Sequence, residues 1–179
     1  MNLASVNPSP LDLAPMDLVR AGLRAEELLD DTLCGVRPAV AWQYGPPGAL
    51  CRPEPSDGGA LWTVMRTRNI TTAVSFARLG ALLGTVERHW LRRGWTLQAV
   101  IPDRRRPGMY ARTPDGFQLS LDVGAAGNVY LGATSPPVHD ASDARPHHPP
   151  GTPGTDEYPG TDGDLAPLPA TVCPFWSAT

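Results

Sequence analysis

The sequence predicts a two-layer α+β domain, an antiparallel sheet with two helices packed on one face, plus a disordered C-terminal tail. Three observations predict it. Residues 15–34 and 75–93 carry apolar side chains at helical spacing. After the second of these, short alternating segments follow one another across hairpin-length turns, Thr113-Pro114-Asp115-Gly116 and Gly124-Ala125-Ala126-Gly127-Asn128. From Pro136 onward the apolar period stops, and Pro, Gly, Asp and Thr dominate. The chain therefore divides into a flexible segment over 1–14, a domain over 15–135, and an acidic tail over 136–179 that ends in an aromatic motif.

The first helix is expected over 15–34, with Pro15 in its first turn and Gly35 as its stop. Leu18, Gly22, Ala25, Leu29 and Leu33 form its inner stripe, while Glu26, Glu27, Asp30 and Asp31 are expected to face outward. Residues 36–44 read as a short edge strand, because Pro38 demotes it from a central place. Residues 45–48 and 53–59 read as loop. The strongest strand is expected over 61–72. Trp62, Val64 and Ile70 share one of its faces with Arg66 and Arg68, which implies a partly solvated face.

The second helix is expected over 75–93, capped by Ser75 and closed by Arg92, Arg93 and Gly94. Its inner stripe is expected to be Phe76, Leu79, Leu83, Val86 and Trp90. Strands follow over 95–101, 109–112, 117–123 and 129–135, with a basic loop at 102–108.

The net charge of −3 conceals segregation. Residues 60–112 hold ten Arg against two acids, whereas the flanking segments are acidic. All 15 basic residues are arginine, which reads as the codon bias of a GC-rich coding sequence rather than as selection for bidentate recognition. The acidic flanks can neutralise the basic middle, or the middle can serve an anionic partner.

Few residues point to chemistry. The densest metal-ligand cluster, His139, Asp140, His147 and His148, falls in the expected tail, so no metal or other cofactor is predicted. His89 reads as a partly exposed helix residue, Ser75 as a cap, Ser120 as a strand residue, and Asp115 as a turn residue. The glycines around Gly124 sit between strands, which is the wrong setting for a dinucleotide fingerprint. No catalytic residue is assigned, and the domain is expected not to be an enzyme. Cys34, Cys51 and Cys173 are expected as free thiols, or with one Cys34–Cys51 or Cys51–Cys173 bridge if the chain is exported.

The binding candidates are the arginines Arg92, Arg93, Arg104, Arg105 and Arg106, with Trp42 and Trp62 as aromatic anchors. Nucleic acid is not expected, since the whole chain is acidic and no reading motif is present. No transmembrane span is expected. Pro174-Phe175-Trp176 either folds back on the domain or serves as a docking motif.

Several short blocks carry a family resemblance. They are Asp30-Asp31-Thr32-Leu33, Trp42-Gln43-Tyr44-Gly45, the run from Gly80 to Trp90, Arg93-Gly94-Trp95, the run from Ala111 to Gly116, and Pro174-Phe175-Trp176-Ser177. In these the chain resembles a family of small Streptomyces proteins classed as lipoproteins or as hypothetical proteins of unknown function. The resemblance implies an extracytoplasmic, membrane-tethered domain with no named activity; together with the basic stretch it gives the expectation of a non-enzymatic binding module of the actinobacterial cell envelope, engaging a protein or an anionic envelope component. The chain departs from the family in having no recognisable signal pattern and no N-terminal acceptor cysteine, Cys34 lying inside the first helix. The location implied by the resemblance is the envelope or the medium. Without export it is the cytosol, and the alternative is then a cytosolic partner protein of the immunity or secretion-chaperone kind.

Overall fold

Side chains at helical and strand periods build two layers in the computed structural model, which describes residues 16–53, 60–124, 126–139 and 168–179. The chain order is α1 (Leu18–Cys34), β1 (Trp42–Tyr44), β2 (Gly48–Pro53), β3 (Ala60–Ile70), α2 (Phe76–Arg92), β4 (Thr96–Ile101), β5 (Gly108–Arg112), β6 (Gln118–Val123), β7 (Val129–Thr134) and β8 (Val138–His139). The strands form one antiparallel sheet in the order β1-β3-β7-β6-β5-β4. β2 joins β1 on one side of β3, and β8 continues the line of β7 on the other. Helix α1 lies across β3 and β7, and α2 lies across β4 and β5. The expected α+β class is observed.

The core is the space between the helices and this face of the sheet. Leu119, Leu121, Val129, Leu131 and Ala133 point into it from β6 and β7, alternating with half-buried residues on the open face. Helix α1 contributes Leu18, Ala21, Ala25, Leu28, Leu29 and Leu33. Helix α2 contributes Leu79, Leu82, Val86 and Trp90. Phe76, expected on that stripe, is 69% exposed, and Leu82 takes its place in the core. The buried spacing is 79-82-86-90, which rotates the helix so that Phe76 clears the sheet.

Both helices start slightly later than expected. Asp17 caps α1: its Oδ1 accepts the Arg20 N–H at 2.8 Å, and Pro15 lies outside the described residues. Ser75 occupies the N-cap position of α2, but its hydroxyl donates to the carbonyl of Ala178 instead of capping. Gly35 does end α1, though with an ordinary right-handed backbone. Its missing side chain matters for a different reason. A Cβ there would lie 2.3 Å from Nδ1 of His89, so the glycine lets α2 close against the end of α1.

Three corrections concern the first half of the sheet. Residues 36–44 were expected as one strand. Only Trp42–Tyr44 pairs, and the chain bends at Arg37 and Pro38 ahead of it. Residues 48–53, of which Gly48 and Pro53 were expected in loops, form β2 against β3. Arg66 and Arg68, expected on a partly solvated face, are 3% and 1% exposed. The reason is position: β3 has strands on both sides and α1 above it, so its helix-facing side is interior.

The parts of the expected tail that can be described belong to the domain. Val138 and His139 pair with Trp62 and Leu61. Residues 168–179 return to the start of α2. Thr171 bridges Thr72, and Trp176, 1% exposed, donates from its ring N–H to the Pro38 carbonyl at 2.7 Å. The N–H of Ser75 donates to the Trp176 carbonyl, and the Ser177 hydroxyl donates to the Ala73 carbonyl. Of the two readings of the terminal aromatic motif, the fold-back is observed. The flexible segment expected over 1–14, the loop expected at 54–59 and the tail over 140–167 lie outside the described residues.

Candidate functional site

The positions expected to bind fall in three separate places. Arg104, Arg105 and Arg106 occupy the β4–β5 connection and are all exposed. Asp103 shapes this turn by accepting the backbone N–H groups of Arg105 and Arg106 at 2.7 and 2.8 Å. Those two bonds hold the Asp103 carboxyl below its usual range, and the neighbouring guanidiniums add to this. The carboxylate is thus engaged by the main chain, and the three arginines are exposed.

Arg92 and Arg93 sit at the other end of β4. Six strand residues separate the two groups, about 20 Å of extended chain. Arg92 is exposed, whereas Arg93 is committed: its Nε donates to Asp31 at 2.7 Å. The single basic patch expected from sequence is therefore split, and the free cluster is the hairpin Arg104–Arg106.

Trp42 and Trp62 lie on the far side of the sheet. From β3 to β4 the order runs through β7, β6 and β5, four steps or roughly 19 Å. Both rings are half-buried and pack against the core. Trp42 meets Tyr44 edge-on at 5.1 Å, and the Arg68 guanidinium lies 4.7 Å from the Trp42 ring and 4.1 Å from that of Tyr44. Trp62 pairs with Cys51 on one side and Val138 on the other. Neither lies beside the arginine loop, because at least four strand steps of the sheet separate them from it.

Sequence reasoning missed the ionic contacts beneath the helices. Glu26, expected to face outward, is buried and meets both Arg66 and Arg68. Its Oε1 is 3.1 Å from Arg66 Nε, yet neither atom has a hydrogen-bond partner, so the contact is one of charge alone. Arg68 also reaches Asp30 at 3.0 Å. Burial pushes the Arg66 guanidinium below its ordinary range; Glu26 offsets part of this and Arg68 adds to it. Asp31, likewise expected outward, holds α2 through His89 at 3.1 Å and Arg93. Two arginines on the inner face of a strand were the available signal, since buried arginine requires a carboxylate within reach.

Two of the depressions that adjoin α1 share Arg24, Glu27 and Asp115 in their walls. One, of about 550 Å³, lies between α1 and the end of α2 and is lined by Arg24, Asp31, Arg93, Trp95 and Asp115. Its charges answer one another: Arg24 donates to Asp115 at 2.8 Å and pairs with Glu27 at 3.1 Å. The other, of about 840 Å³, is more apolar and runs past Met16, Leu23, Pro136, Pro137 and Val138. Cys34, Cys51 and Cys173 are free thiols. Among the described residues no three His, Cys, Asp or Glu side chains converge as metal ligands; Asp140, His147 and His148 of the candidate cluster lie outside them. Among the described residues no helix is long and apolar enough to cross a membrane.

No protein-family model and no curated protein matches the chain. Among solved structures, the chain is similar to a DUF4853 family protein from Actinomyces odontolyticus ATCC 17982, with 12% identity and a TM-score of 0.45. The likeness covers 73% of this chain and 72% of that one. A likeness of this degree assigns neither family nor function.

Proposed function

We propose that this domain is a non-enzymatic binding module of the actinobacterial cell envelope that engages an anionic partner through the β4–β5 hairpin. The observation that carries the reading is the Arg104–Arg106 cluster. Three adjacent guanidiniums are exposed, and the nearby Asp103 is occupied by backbone N–H groups. The other basic groups near α1 and β3 (Arg24, Arg66, Arg68 and Arg93) are consumed in internal ion pairs. Arginine outside an internal ion pair keeps its capacity for bidentate contact with carboxylate or phosphate. The envelope location is supported by the Streptomyces lipoprotein resemblance.

The test is fractionation of cells carrying the protein at low salt, with and without Arg104, Arg105 and Arg106 changed to Ala. Envelope association that falls for the triple variant supports the reading. Association left intact removes the hairpin from it, and a wholly cytosolic protein with a stoichiometric partner favours the partner-protein alternative.

A further inference from the structure

The strand that leads into the arginine hairpin is the end of the sheet. β4 pairs with β5 on one side, and among the described residues nothing pairs with the other. Its sequence, Thr-Leu-Gln-Ala-Val-Ile, contains neither a charge nor a proline. Five of the six residues are exposed, and the two apolar ones nearest the hairpin, Val100 and Ile101, are 52% and 42% exposed. An unpaired edge of this kind is a template for another strand, and proteins ordinarily blunt it with charge, proline or irregularity. The opposite edge is blunted in that way: β1 has three residues, and Gly45-Pro46-Pro47 separates it from β2. In β4 the irregularity is a register shift between Leu97 and Ala99, which leaves residues 99–101 in regular pairing with Tyr110, Met109 and Gly108.

We infer that β4 accepts an extended acidic polypeptide segment of a partner protein as an added strand, with Arg104–Arg106 binding its carboxylates. The inference rests on the reading above and names the partner's chemistry. Main-chain hydrogen bonds to the free edge supply sequence-independent attraction, and Val100 and Ile101 supply apolar contact. The hairpin supplies the selection for acidic side chains. A second copy of this chain is a poor occupant. Antiparallel pairing of two β4 strands would bring Arg104–Arg106 of one copy towards the exposed Arg92 of the other, opposing like charges.

The experiment uses the full chain and two synthetic peptides of equal charge. One alternates valine with glutamate; the other carries proline at every second position and cannot donate a ladder of hydrogen bonds. Binding is followed by titration, and amide hydrogen exchange reports on Thr96–Ile101. The expected result is binding of the first peptide alone, with slowed exchange of the outward amides of β4. Val100→Glu, at an exposed position, is expected to weaken that binding. The Arg104, Arg105 and Arg106 to Ala variant is expected to bind about tenfold less tightly, the combined effect of three exposed charge contacts. Equal binding of both peptides with unchanged exchange in β4 overturns strand addition and leaves the hairpin reading standing. Binding of neither overturns strand addition as well, and the fractionation of the triple variant then decides the broader reading independently.

Discussion

Trp176→Ala tests whether the C-terminal segment is part of the folded core. Trp176 is 1% exposed and packs with the core residues, so the substitution removes a large apolar surface from the interior. A buried tryptophan hides roughly 150–250 Å², which at about 25 cal/mol per Å² corresponds to some 4–6 kcal/mol. That figure is an upper bound, because the unfolded chain already hides part of the surface; large aromatic truncations in cores cost about 3–5 kcal/mol. The change also removes the donor to the Pro38 carbonyl, 2.7 Å away, which then lacks that partner. We therefore expect a loss of about 4 kcal/mol, or roughly 8–16 °C in melting temperature for a chain of this size.

The assay is thermal and urea unfolding followed by circular dichroism, with Trp176→Phe as the companion. Phenylalanine keeps most of the ring but not the N–H, so it should lose about 1–3 kcal/mol. A melting temperature within about 2 °C of the parent for Trp176→Ala would refute the reasoning. Residues 168–179 would then be a loosely held segment and its aromatics free to dock elsewhere.

Other outcomes follow from the same contacts. Glu26→Gln leaves Arg66 and Arg68 buried with only Asp30 opposite, and should cost about 3–5 kcal/mol in urea unfolding. Gly35→Ala places a Cβ 2.3 Å from the His89 ring, and should lower stability by about 1–3 kcal/mol unless α2 shifts. Asp115 gives a pH dependence. Burial raises its pKa, but hydrogen bonds from Thr113 and Arg24 and the charge of Arg24 outweigh burial, and the net shift is downward. A carboxyl depressed in the folded state adds stability above its unfolded value near 3.9 and loses it as pH falls through the folded value. Unfolding curves of the parent and of Asp115→Asn should therefore differ at neutral pH and converge in acid. A difference that persists unchanged below about pH 2 would contradict the assignment.

The sequence by itself determined the two helices, the strands after α2 and the antiparallel class, because these depend on spacing between near neighbours. A stripe at three-to-four spacing is legible in a dozen residues, and a hairpin is legible in its turn. Even the exposed hairpin at Arg104–Arg106 was visible, since a turn rich in arginine and bounded by Pro102 and Pro107 has no means of burying itself. Other features depended on which strand lies beside which. Nothing local distinguishes Arg66 and Arg68 on a central strand from arginines on an edge. Their burial follows from β7 and β8 pairing on one side, β1 and β2 on the other, and α1 crossing above. Glu26 becomes a buried counter-ion for the same reason. Tertiary structure also separated Trp42 and Trp62 from the arginines and drew Trp176 into the core from the far end of the chain. Periodicity records the face a side chain presents; which groups meet across that face is decided when distant segments pack, because only then is the cost of burying a charge or a ring set against its partners.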